Sequence, residues 1–265
     1  MLEESSEHNG FPPSVARLES PSLIGTGTGA TAFEMKFLVT SAQAEQIQRW
    51  AREHLGLDPY ANAARNDSYE TTTLYFDTPH YDVFKRSPGF RRHKFRMRRY
   101  NGASTLFAEC KTRRGDEVAK QRCTLPLEEL ARFQDTSPTN DWSGADYHRA
   151  LWERSLQPSC RMTYDRSAYL GRDRSGAIRL TLDRHIRGTL CNHWQTTPLS
   201  DGVTILSDEV ICELKFRECM PMLFKQLVAN FRLESSSVSK YRRMLTALGL
   251  NLPEHSVPPE DPNHV

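Results

Sequence analysis

Apolar and polar residues alternate along much of the chain between residues 32 and 217. In "AFEMKFLV", Phe33, Met35 and Phe37 fall on one side, Glu34 and Lys36 on the other. An alternation of period two marks a strand with one dry face. In "STLFAECKTR", Leu106, Ala108 and Cys110 oppose Phe107, Glu109 and Lys111. Further strands are predicted at 71–78, 90–100, 119–127, 160–170, 177–188 and 209–217. Helical spacing replaces alternation in five places. Residues 40–57 open on an N-cap candidate, Thr40 or Ser41, and carry Ile47, Trp50, Ala51 and Leu55. Residues 126–134 begin with Pro126, which suits a first helical turn. Segments 144–157, 220–233 and 237–250 complete the set. Short consecutive strands with helices between and after them predict an α+β fold: an antiparallel sheet or barrel with helices packed outside.

The flanks follow different rules. Residues 1–31 and 251–265 are polar and rich in Ser, Glu, Pro or Gly, which predicts a disordered leader and tail around a domain at 32–250. "GTGTGA" at Gly25–Ala30 precedes a strand, whereas a phosphate-binding glycine loop follows one and opens a helix. The leader lacks the basic start and apolar core of a secretory signal, and no apolar run is long enough to cross a bilayer. The six cysteines form no CxxC pair. A cytoplasmic protein with reduced thiols is the expectation.

The net charge is only +2, so strong positive fields must come from clustering. Such clustering is present. "RRHKFRMRRY" at 91–100 places Arg92, Lys94, Arg96 and Arg98 on one strand face, with Phe95 and Met97 on the other. Lys36, Lys111, Arg122, Arg166, Arg179, Lys215 and Lys240 continue the pattern on later elements. A Glu stands two residues before a Lys in Glu34-Met35-Lys36, Glu109-Cys110-Lys111 and Glu213-Leu214-Lys215. The plain reading is a sheet with a solvated outer face. If the sheet closes instead, these faces share one interior, and enclosed cations need a polyanion. Arg and Lys together suit phosphate, and carboxylates beside phosphate suit Mg²⁺ or Mn²⁺. Aromatics able to stack bases are sparse near 91–99, which argues against nucleic acid.

"FEMKF", "FRMRR", "AECKTR", "MTYDRSAY", "RLTLDRHIRG", "ICELKF" and "SVSKYRR" occur in an order that resembles VTC domains of the triphosphate tunnel metalloenzyme (CYTH-like) superfamily. The resemblance spans about residues 31–249. It implies an antiparallel eight-stranded β-tunnel with helices outside. It also implies a polyphosphate polymerase-type phosphotransferase using ATP and inorganic polyphosphate with Mn²⁺ or Mg²⁺. Carried over residue by residue, Arg96, Arg98 and Lys240 become the catalytic cations. Lys36, Lys111, Tyr164, Arg166, Lys215 and Ser239 become substrate-binding groups, and Glu213 the metal ligand. Glu34 and Glu109 are second metal ligands or partners of Lys36 and Lys111, pairing being the expectation for Glu109; Asp183 is expected to orient Arg179 or a basic neighbour. Ser239 and Lys240 open a helix, whose free N–H groups favour an anion; Ser237 or Ser239 as a simple cap is the competing reading. The family pattern has a lysine where this chain has Ser237. That departure keeps a non-catalytic polyphosphate-binding regulator in view, beside a triphosphate hydrolase of the same fold. The hydrolase pattern ExExK is incomplete here, because Ala32 stands at its first position.

Overall fold

The computed structural model describes residues 32–114, 117–135 and 139–251. The leader expected at 1–31, with its glycine run, and residues 252–265 of the expected tail lie outside them. The strands are β1 (Phe33–Thr40), β2 (Gly56–Leu57), β3 (Ser68–Asp77), β4 (His93–Tyr100), β5 (Thr105–Arg114), β6 (Glu117–Pro126), β7 (Gln157–Asp173), β8 (Gly176–Leu190), β9 (Val203–Ile205) and β10 (Glu209–Phe216). The helices are α1 (Ser41–His54), α2 (Asp82–Lys85), α3 (Ala145–Trp152), α4 (Met222–Asn230) and α5 (Lys240–Ala247).

Eight strands lie side by side in the order β1-β10-β8-β7-β3-β4-β5-β6, with β2 added on β7 and β9 on β8. Each pairing is antiparallel. No hydrogen-bonded ladder joins β1 to β6 among the described residues, so the sheet curls without closing through its backbone. The outer edge of β1 is covered by its own chain: Phe37 bridges Ser235, and Ser236 N–H donates to the Lys36 carbonyl at 2.7 Å.

The expected alternation holds, with the dry face outward. On one flank Phe37, Val39, Leu180, Leu182, Cys212 and Leu214 pack under Ile47 and Ala51 of α1 and Phe224 and Leu227 of α4. On the other, Leu74, Phe95, Met97, Leu106 and Ala108 pack with Tyr147 and Leu151 of α3 and Met244 and Leu245 of α5. Thr40 caps α1 in a reciprocal box with Gln43. The strand predicted from residue 90 starts at His93, leaving Arg91 and Arg92 exposed in the preceding turn. The helix predicted from Pro126 is a 3-10 helix, Leu127–Gln134, and Pro126 ends β6. The six cysteines are free, and no helix among the described residues is long and apolar enough to cross a membrane.

One buried carboxylate fastens α5 to the sheet. Asp77, fully buried at the end of β3, accepts from the N–H groups of Thr78 (2.8 Å), Val83 (2.8 Å) and Phe84 (2.9 Å). It also accepts from the Tyr241 hydroxyl at 2.7 Å, next to Lys240 at the start of α5. Asp77→Ala strands several donors, each costing about 1–3 kcal/mol without full additivity. We expect an overall loss of about 3 kcal/mol in urea unfolding, against about 1 kcal/mol for Tyr241→Phe.

Candidate phosphate-binding tunnel

The inward faces of the strands meet in a cavity whose wall carries eight cationic side chains and two carboxylates. Lys36, Lys94, Arg96, Arg98, Lys111, Arg166, Lys215 and Lys240 are the cations; Glu34 and Glu213 are the carboxylates. Of the catalytic, substrate-binding and metal residues carried over from the resemblance, all except Tyr164 reach this wall, Ser239 included; Glu109, Arg122, Arg179 and Asp183 do not line it. Tyr164 lies behind it, buried. Its ring carries the Arg166 guanidinium at 5.4 Å and the Lys240 ammonium at 5.2 Å, so it supports two cations of the wall.

Strand register sets the electrostatics. Lys94, Lys111 and Lys120 stand directly opposite one another across β4, β5 and β6. The next row inward reads Arg96, Glu109, Arg122. Like charges facing each other across strands are costly, so the lysine row is the strained part of the wall. Burial and the cations Lys36 and Lys111 bring Lys94 down to about 7. Burial lowers Lys111 to about 8 despite Glu34, and lowers Lys120 to about 6 despite Glu109. The arginine row is balanced by Glu109, which is fully buried. It receives Arg96 at 2.7 Å, Lys120 at 2.5 Å and Arg122 at 2.5 Å, with Arg98 at 3.9 Å. Burial alone would raise its pKa; Arg96, Lys120, Arg98 and Arg122 hold it well below the usual range. The expected Glu109–Lys111 pair does not form. Glu109 is saturated by cations of the neighbouring strands, and Lys111 reaches across to Glu34 at 2.5 Å.

The opposite wall is built the same way. In β1 and β10, Lys36 faces Glu213 and Glu34 faces Lys215. Lys215 Nζ lies 3.2 Å from Glu34 and 2.9 Å from Glu213, and Lys36 approaches both at 3.8 and 3.7 Å. Burial and Glu213 would raise the Glu34 pKa, but Lys215, Lys111 and Lys36 bring it to about 2. Burial opposes ionisation of Glu213 too, and Lys215, Lys36 and Lys111 overcome it. Asp183 does not orient Arg179. It takes Arg166 through two hydrogen bonds, 2.6 and 2.8 Å, and Lys240 at 2.5 Å. Arg179 turns instead to Asp58 at 2.8 Å.

Helix α5 presents its first turn to the cavity. Ser239 occupies the N-cap position but makes no side-chain cap; its Oγ accepts from Lys94 Nζ at 3.0 Å. First-turn N–H groups of α5 are therefore left for an anion. Ser237 is exposed and does not line the cavity. Lys94, which the alternation places on the face of Arg96 and Arg98, lines the cavity with them. Tyr75 and Tyr241, stacked at 5.0 Å, also line it, and alternation alone gave no chemical reason to select them.

Glu34 and Glu213 are the carboxylates of the wall that would hold a divalent ion. They converge on shared ammonium groups, a donor pair suited to Mg²⁺ or Mn²⁺ completed by phosphate oxygens and water. No group of three or more His, Cys, Asp or Glu placed for a metal occurs among the described residues.

The VTC domain family model matches residues 31–248, and the chain belongs to that family. Its curled antiparallel sheet with helices outside is shared with solved structures of low sequence identity. A candidate adenylate cyclase from Bacillus halodurans superposes with a TM-score of 0.50 at 14% identity, covering 79% of this chain and 94% of the other. The PH1819 protein of Pyrococcus horikoshii gives 0.46 at 13% identity, over 81% and 98%. A Hippeastrum adenylyl cyclase candidate, described as having dominant triphosphatase activity, gives 0.42 at 14%, over 82% and 95%. No curated protein matches the chain.

Two outcomes follow from the charge pattern. Glu109→Gln leaves buried cations without their counter-charge and should destabilise the fold by about 3–5 kcal/mol, with tripolyphosphate restoring part of the loss in a thermal melt. The second concerns protons. Unfolded lysine titrates near 10.5 and Lys94 near 7, so between these values the unfolded chain binds more protons. This contribution penalises the fold fully below about 7 and is relieved as pH rises to about 10.5. A bound phosphate chain favours the ammonium form. Titration calorimetry at about pH 8, in buffers of different ionisation heat, should therefore register proton uptake on binding tripolyphosphate.

Proposed function

We propose that the protein is a polyphosphate polymerase-type phosphotransferase that passes the γ-phosphoryl group of ATP to a phosphate chain. The observation that carries this reading is the gathering of eight basic side chains on the wall of one cavity, against Glu34 and Glu213 there and the buried Glu109 and Asp183 beside them. Lys36, Lys111, Arg166, Lys215 and Ser239 bind the triphosphate, and Arg96, Arg98 and Lys240 neutralise the oxygens of the transferring group. A terminal phosphate oxygen of the acceptor forms the new bond to the γ-phosphorus as the bond to the β-phosphate oxygen breaks, and ADP leaves. Such a transfer depends on positioning and charge neutralisation. An ionised phosphate acceptor has no proton to lose. The site matches this: Glu34 and Glu213 are held ionised by lysines, which makes them weak bases for activating water. A divalent ion held by Glu34 and Glu213 would add charge stabilisation at the phosphoryl oxygens.

Triphosphate hydrolysis is the second reading, favoured by Glu34 standing beside Glu213 within the wall. Products separate the two readings. Incubation with ATP and Mn²⁺ should yield chains resolved on a gel together with ADP. Free phosphate alone would favour hydrolysis, and tight binding without turnover a regulator. Replacing both Arg96 and Arg98 by Ala should remove product formation while circular dichroism stays native; a folded, active double variant would overturn the assignment.

A further inference from the structure

A short segment, Asp58–Tyr60, packs against the sheet where β3 begins and β4 ends. On the inward face Tyr69 of β3 stands directly opposite Arg166, Phe107 of β5 directly opposite Arg98, and Tyr100 follows Arg98 on β4. None of the three aromatics lines the phosphate cavity. Tyr60, from the connection between β2 and β3, completes the cluster. Its ring centroid is 4.8 Å from that of Tyr100 and 5.8 Å from that of Tyr69, and Tyr100 lies 5.4 Å from Phe107. Tyr69 is fully buried and Tyr100 nearly so.

The same segment is tied on two sides. On the β8 side, Asp58 receives Arg179 at 2.8 Å, and Arg179 also donates to the Tyr69 hydroxyl at 3.0 Å. On the β4 side, Asn101 Nδ2 donates to the Tyr60 carbonyl at 3.4 Å. The charge changes character here too. Arg179 has its own carboxylate in Asp58, and Arg122 shares Glu109 while its guanidinium lies 4.6 Å from the Phe107 ring centroid. The unbalanced positive charge that attracts phosphate belongs to the other end.

We propose that Asp58 and Tyr60 form a stopper across the far end of the tunnel, so that the site as built takes the end of a phosphate chain rather than its middle. This rests on the phosphate-binding reading of the cavity and adds to it which part of the substrate is recognised. A triphosphate entering from the Lys36–Lys94 end has its terminal phosphate deepest. The in-line approach to that phosphorus then lies on the stopper side. A chain acceptor reaches it when the Asp58–Arg179 and Tyr60–Tyr100 contacts part; with them closed, the acceptor is limited to something as small as orthophosphate or water.

Sedimentation of the full chain with short and long linear polyphosphates, without nucleotide, tests this. Wild-type protein in excess should load one molecule per chain end, whatever the chain length. A protein-to-chain ratio that grows with length would overturn the stopper while leaving the phosphate site standing. Absence of binding to tripolyphosphate would overturn the phosphate-binding reading and the stopper with it. The Asp58→Ala/Tyr60→Ala variant should convert loading to the length-dependent kind, with circular dichroism reporting its fold. Should that variant fail to fold, the wild-type ratio alone still decides.

Discussion

Like charges can be enclosed in a protein only when something of opposite sign is enclosed with them, and every part of this molecule answers to that constraint. Four carboxylates carry the task. Glu109 holds the arginine row, Asp183 holds Arg166 and Lys240, and Glu34 and Glu213 share Lys36 and Lys215. They fall short of neutrality, and the shortfall sits in the Lys94–Lys111–Lys120 row, where strand register faces lysine with lysine. A hydrophobic interior would be the simpler design. The charged interior is instead maintained by moving the apolar core outside the sheet, under α1, α3, α4 and α5.

That inversion divides the work among elements. The sheet fixes cation spacing through its register, which side chains alone could not maintain against repulsion. The helices supply the burial that holds the sheet curled where the β1 and β6 backbones make no ladder. Helix α5 does both. Its apolar face joins the core through Met244 and Leu245, while its first turn delivers Lys240 to the tunnel. Asp77 makes these two roles inseparable, because Tyr241 is anchored one residue after Lys240.

Alternation in the sequence made the strands and their inward cations legible, because strand periodicity is local. Lys36, Arg96, Arg98, Lys111, Arg166, Lys215 and Glu213 could be placed on inward faces from spacing and resemblance alone. Partnership was not legible. Glu109 stands two residues from Lys111, yet finds its cations on β4 and β6, since register between strands is set by turns and packing far from the pair. For Asp183 the sequence left Arg179 or another basic neighbour open; the fold selects Arg166 from β7 and Lys240 from α5. The segment around Tyr60 carried no periodic signal, and only the folded chain lays it against Tyr100. The 3-10 character of 127–134 escaped for a related reason: apolar spacing does not separate 3-10 from α over so short a run.

The covering of β1 by Ser235 and Ser236 links the sheet edge to the tunnel. An uncovered edge strand is a template on which another chain can pair. Here the shield is not a separate device. It is the stretch of backbone that leads, three residues later, into Ser239 and Lys240. Whatever steadies the start of α5 therefore also steadies the backbone that covers this part of the β1 edge.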